Sequence, residues 1–148
     1  MISWQATRMY GVRTRPQLAK QFANEVGGSP VITQLRRRNI HEIIFRPLFA
    51  SGGLALAGSI IRIYLRHDDR CSTNLAQTVG HELGHSFFFG KVAGTPIRLV
   101  PYGGWREEDF CEMFASMWLA QGTNREEVEE LIFDSPRLPC GRYEMISL

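Results

Sequence analysis

Leu18, Phe22 and Val26 recur every four positions, the spacing of one face of a helix. Thr14 with Pro16 two residues later reads as its N-cap and first turn, and Gly27 and Gly28 end it. From Ile40 the pattern changes to strand-like runs. "HEIIFRPL" is one predicted strand, and "GLALA" and "SIIRIYL" flank Gly58 as a predicted hairpin. In the last run Ile61, Ile63 and Leu65 point one way and Arg62, Tyr64 and Arg66 the other, as on a sheet with one wet face. The polar segment "RHDDRCSTN" connects to a helix that Ser72 or Thr73 can cap and that is expected to run to Phe89 and stop at Gly90. A loop rich in Gly, Pro and Thr follows, then a helix from about Trp105 to Gln121 ending at Gly122. Asn124 is the expected cap of a short final helix, "REEVEELIF". The order predicts an α+β fold in a single domain over 1–148, without repeat or linker.

Composition narrows the function classes. A chain of 148 residues, 44% hydrophobic and 22% charged, is an ordinary globular composition. Its net charge of +2 is too small to imply a nucleic-acid or membrane partner. Arg36, Arg37 and Arg38 form the only basic run and read as a solvated turn, with phosphate binding the lesser alternative. Cys71, Cys111 and Cys140 are widely spaced and contain no CxxC pair. Together with the lack of a secretory signal, they point to a reduced, cytoplasmic protein. The charge-free stretch from Pro47 to Ile61 is shorter than the ~20 residues of a spanning helix and contains Gly52, Gly53 and Gly58.

The chemistry centres on "LAQTVGHELGHSFFFG". On a helix His81 and His85 share one face, so both can aim a ring nitrogen at one point, and Glu82 can reach a water there. This HExxH spacing supplies two zinc ligands and a general base. The bland alternative is a core helix with two satisfied histidines. Against it stand the apolar surround of Leu83 and Phe87 to Phe89, the small Gly84, and the cost of burying Glu82 without a role. No histidine follows His85, so a carboxylate must close such a site. "REEDFCEMFASMWL" offers one: Glu108, Cys111, Glu112 and Ala115 share a helical face, and Glu107 is the fallback ligand if the register differs. Singly, Glu107, Glu108 and Asp109 also suit a helix N-terminus. Glu112, a turn later, is placed to accept the free N–H of a ligating histidine. Cys111 reads as a small packing residue rather than a thiolate ligand.

These residues resemble the ImmA/IrrE group of small zinc metallopeptidases. The likeness covers about Ile40 to Gln121 and rests on HELGH followed by Glu108-x-x-Cys111-Glu112-x-Phe114-Ala115. It implies a small zincin-like domain whose mostly antiparallel sheet of about three strands packs on the HExxH helix. It further implies one zinc ion on His81, His85 and Glu108, and Glu82 as base. The implied substrate is a peptide or partner protein such as a transcriptional repressor, with no direct nucleic-acid contact. Cys111 and Glu112 replace the family's usual Ala and Asn, Phe89 stands where a histidine is frequent, and Trp118-Leu119-Ala120 replaces a common Leu-Met-Pro. Tyr102, His67 and Tyr64 are candidates to stabilise an oxyanion. The strand from Ile60 to Leu65 is expected near the metal, with an edge that holds extended peptide. A catalytically inactive zincin-like domain acting as an interaction module is the alternative function.

Overall fold

The computed structural model describes residues 14–46, 52–57, 60–66, 75–99, 101–132 and 145–148. The expected turn at Gly58, the caps Ser72 and Thr73, His67, Cys71 and Cys140 lie outside them.

Helix α1 (Arg15–Val26) begins as its sequence predicts. Thr14 accepts from the Gln17 amide while the Gln17 side chain accepts from the Thr14 amide, a reciprocal capping box, and Gly27 is the C-cap. Leu18, Phe22 and Val26 are buried. A short helix not predicted from the sequence, α2 (Val31–Arg37), follows Pro30. Pro30 offers no side-chain cap, and the Val31 amide donates instead to Glu127, 3.1 Å away on a later helix. The arginine run therefore closes a helix instead of forming a solvated turn. Arg36 and Arg37 are exposed, but Arg38 donates to the backbone oxygen of Ser86 at 3.0 Å and stacks 4.3 Å from the Phe87 ring centre.

Strands β1 (Ile40–Arg46), β2 (Gly52–Ala57), β3 (Ile60–Arg66) and the three-residue β6 (Met145–Ser147) form one sheet in the order β2-β3-β1-β6. The β2–β3 and β1–β6 pairs are antiparallel, and β1–β3 is parallel. Ile61, Ile63 and Leu65 are buried, as their alternation predicts. In β1 a register irregularity between Ile40 and Glu42 switches the parity, so Ile40, Ile43 and Phe45 all face inward. The edge expected of β3 is not there, because β3 lies between β2 and β1. Alternation identifies the buried face of a strand but not its neighbours. Among the described residues the edge near the helices is β2, which packs beside α3.

Helix α3 (Leu75–His85) carries HELGH and ends four residues earlier than expected. Its last turn tightens into a 3₁₀ turn, Ser86–Phe88, in which Ser86 Oγ donates to the Leu83 carbonyl. The expected loop is instead a hairpin of β4 (Phe89–Val92) and β5 (Thr95–Arg98). Its two-residue turn uses Ala93 at φ 51° and Gly94 at φ 81°. Alanine is a poor signal for positive φ, which is why the hairpin is hard to see in the sequence.

Helix α4 (Trp105–Leu119) and helix α5 (Asn124–Ile132) complete the helical layer. Asn124 does not cap α5. It is buried, donates to the Trp118 carbonyl at 2.9 Å, and accepts from Gln34, whose own oxygen takes the Trp118 indole N–H at 2.6 Å. This buried polar network ties α2, α4 and α5 together with each partner satisfied.

The contact that positions the site is between α3 and α4. A Cβ added at Gly80 would lie 2.9 Å from the Trp118 ring and 3.2 Å from Ala115 Cβ, and one at Gly84 would lie 3.2 Å from Cys111 Cα. The helices run antiparallel at this close approach, Gly80 against Ala115 and Gly84 against Cys111. Overpacking such a seam costs about 1–3 kcal/mol. Gly80→Ala should therefore lower the stability read from a denaturant midpoint by that amount; a loss below about 0.5 kcal/mol, the scale of a neutral surface change, would contradict the packing.

Candidate metal centre

Because Gly80 and Gly84 bring the helices together, the residue after each, His81 and His85, faces the first two turns of α4. His81 Nε2 and His85 Nε2 are 3.2 Å apart. Glu108 lies against both, with Oε2 at 2.7 Å from His81 Nε2 and Oε1 at 3.1 Å from His85 Nε2. Two nitrogens bound at 2.0–2.1 Å in tetrahedral geometry stand about 3.3–3.4 Å apart. The spacing of the two rings fits one shared ion without rearrangement of either helix.

The far sides of the rings are also engaged. His85 Nδ1 is 2.5 Å from Glu107 Oε2. Glu107 is 0% exposed, and Arg98 Nη1 and Nη2 donate to its two oxygens at 3.0 and 2.7 Å. Burial pushes this carboxyl up, but the hydrogen bonds of His85 and Arg98 outweigh it and hold it at about 2. An ionised carboxylate only accepts, so His85 Nδ1 carries a proton, and Nε2 is the nitrogen left to face Glu108 and His81. Both oxygens of Glu107, the fallback ligand, are thus engaged by His85 Nδ1 and Arg98. For His81, Glu112 Oε1 lies 2.5 Å from Nδ1, but the contact lacks hydrogen-bond alignment, so the N–H acceptance expected of Glu112 is not formed.

Glu82 is 2% exposed, and its Oε2 has no hydrogen-bond partner. Burial, reinforced by Glu108, Glu107 and Glu112 against the pull of His85, raises its pKa from 4.5 to about 7. A buried orphaned carboxylate is costly, and such groups concentrate where chemistry uses them.

His81, His85 and Cys111 place one donor atom each within 4.8 Å of one another, a set able to hold a metal ion. Burial and the surrounding carboxylates push the Cys111 thiol far above its usual range, and Cys111 Cβ packs 3.3 Å from the Cβ position of Gly84. Of the candidate oxyanion donors, Tyr102 reaches the cluster: it is 57% exposed and its hydroxyl donates to Glu108 Oε1 at 3.0 Å. Tyr64 lies on the β3 face opposite Ile61, Ile63 and Leu65, away from the core. Arg98 was not recognisable from the sequence, since the stretch holding it reads as a loop and a lone arginine there carries no signal.

No protein family, curated protein or solved structure matches this chain. Among the described residues no helix is long and apolar enough to cross a membrane.

The two buried glutamates give opposite pH dependences. Glu107, depressed to about 2, stabilises the fold above pH 4.5, and that contribution is lost as pH falls toward 2. Glu82, raised to about 7, favours the folded state fully below pH 4.5 and penalises it increasingly as pH rises through 7. A shift of that size corresponds to about 3 kcal/mol. In chelator-treated protein, Glu82→Gln should be as stable as the parent at pH 4 and more stable by roughly that amount at pH 8. Parallel stability curves across this range would show that Glu82 ionises normally.

Proposed function

We propose that this chain is a zinc-dependent metallopeptidase in which His81, His85 and Glu108 hold the metal and Glu82 is the general base. The observation that carries the reading is the buried, unpartnered Glu82 carboxylate beside two histidine Nε2 atoms 3.2 Å apart. A structural metal site has no use for such a group. Two imidazoles and a carboxylate are a hydrolytic zinc donor set, and the HExxH spacing supports the same choice of metal. Glu108 is preferred to Cys111 as third ligand. Its oxygens already lie at 2.7 and 3.1 Å from the two Nε2 atoms, whereas the thiol would have to ionise among four carboxylates.

When bound, zinc supplies a Lewis acid that polarises a substrate carbonyl and brings the pKa of a coordinated water to about 7. Glu82, with its own pKa about 7, would take a proton from a water as that water's oxygen bonds to the carbonyl carbon, and would give it to the amide nitrogen as the C–N bond breaks. Its burial keeps bulk water from competing for the proton. Tyr102 is placed to turn its hydroxyl from Glu108 toward a developing oxyanion. The β2 edge beside α3 offers main-chain groups for an extended peptide. The substrate class is therefore a peptide or an extended segment of a protein, and the family resemblance makes a partner transcriptional repressor the first to try.

Protein purified without chelator should contain one zinc per chain by elemental analysis, and His81→Ala should lose it. Glu82→Gln should keep zinc and lower cleavage of the identified substrate by about 10²–10⁴-fold, the usual contribution of a general base. Full zinc content in His81→Ala would refute the ligand assignment. Undiminished cleavage by Glu82→Gln would refute the mechanism.

A further inference from the structure

We infer that Arg98, on the β4–β5 hairpin, is a positioning residue for this centre, acting through Glu107 to fix the ring of His85. The inference rests on the metal-binding reading above and adds to it a residue outside both helices.

Without Arg98, little would orient the Glu107 carboxylate. It is fully buried, and among the described residues the backbone donor that reaches it is the distant Gly103 N–H, 3.4 Å away and ahead of α4. A carboxylate can rotate about its terminal torsion, which is broad and only roughly two-fold. Arg98 removes that freedom. Its two terminal nitrogens take one oxygen each, at 3.0 and 2.7 Å, the bidentate fork that a guanidinium forms and an ammonium cannot. The oxygen on Nη2 is the same Oε2 that faces His85 Nδ1. Orientation therefore passes along one chain of atoms, from guanidinium to carboxylate to imidazole, and ends at the Nε2 lone pair.

The guanidinium is itself held. It lies 4.9 Å from the ring centre of Phe89 and 5.5 Å from that of Tyr102. Phe89 opens β4 and pairs directly with Arg98 across the hairpin. Tyr102 is the residue whose hydroxyl donates to Glu108. One arginine thus borders the partner of one histidine and the aromatic ring that contacts the proposed third ligand. This gives the hairpin a purpose that its exposed tip does not suggest.

Outer-sphere partners of a ligating histidine are worth about 10–100-fold in metal affinity. The test is the zinc dissociation constant, measured by competition with a chromophoric chelator, for the parent chain, Arg98→Met and Arg98→Lys. The lysine variant keeps a positive charge beside buried Glu107 and so protects folding if the methionine variant fails to fold, but it loses the fork. Both should bind zinc at least 10-fold more weakly than the parent. In the zinc-loaded proteins the ¹⁵N resonances of the His85 ring should shift while those of His81 stay as in the parent, a readout that mere loss of stability does not move. Arg98 variants that bind zinc as tightly as the parent would overturn the inference and leave the metal centre intact. A parent chain that binds no zinc would overturn the metal reading itself, and this inference with it.

Discussion

The close seam between α3 and α4 is the constraint on which the rest of the site depends. Gly80 and Gly84 lie one turn apart and meet Ala115 and Cys111, also one turn apart on the antiparallel partner. Four small residues in register let the two backbones approach until ordinary side chains would collide. A histidine and a glutamate have limited reach, and here His81 meets both Glu108 and Glu112 while His85 meets both Glu107 and Glu108. With larger residues in the seam the helices would part, and the same acids would face water. The glycine inside HELGH therefore serves packing first, and the chemistry follows from the distance it permits.

That distance concentrates negative charge. Four glutamates surround two histidines, and they are kept apart electrically by unequal partners. Glu107 has a guanidinium and an imidazole and is held at about 2; Glu82, equally buried, has an orphaned oxygen and stands at about 7. Two carboxylates of one intrinsic acidity are thus separated by environment into a permanent anion and a group able to exchange a proton near neutral pH. The permanent anion suits the orienting role proposed for it, and the exchangeable one the proposed role of base. A divalent cation among them would offset the accumulated charge, which is a further reason the donor set suits a metal.

How much of this could be read from the sequence varied with whether the information was local. The α1 N-cap, the buried faces of α1 and β3, and the pairing of His81 with His85 depend on neighbours within four residues, and all could be read. The bracketing of β3 by two strands, the β4–β5 hairpin and the buried role of Asn124 depend on partners far along the chain. Arg38 and Gln34 belong to the same group: each looks like a surface residue, and each is committed to a carbonyl or ring from another element. Arginine and glutamine have long stems that allow either fate, so their type carries almost no burial information. Glu108 was legible as a candidate but not separable from Glu107.

Consecutive residues of a helix point about 100° apart, so only one of two adjacent glutamates can face the histidine Nε2 atoms. Rotating α4 by one residue would exchange them, but it would also carry Phe110, Phe114 and Trp118 off the core and Cys111 and Ala115 out of the seam with Gly84 and Gly80. That packing fixes the rotation, and it depends on partners far along the chain. Gly104, at φ 61°, turns the chain into α4, and Arg98 waits on the hairpin side to take whichever carboxylate points toward it. A buried carboxylate facing that guanidinium is compensated; a hydrophobic or neutral residue there would leave the arginine without its fork. The hairpin thus compensates Glu107, the carboxylate that the seam turns toward it, while Glu108 faces His81 and His85.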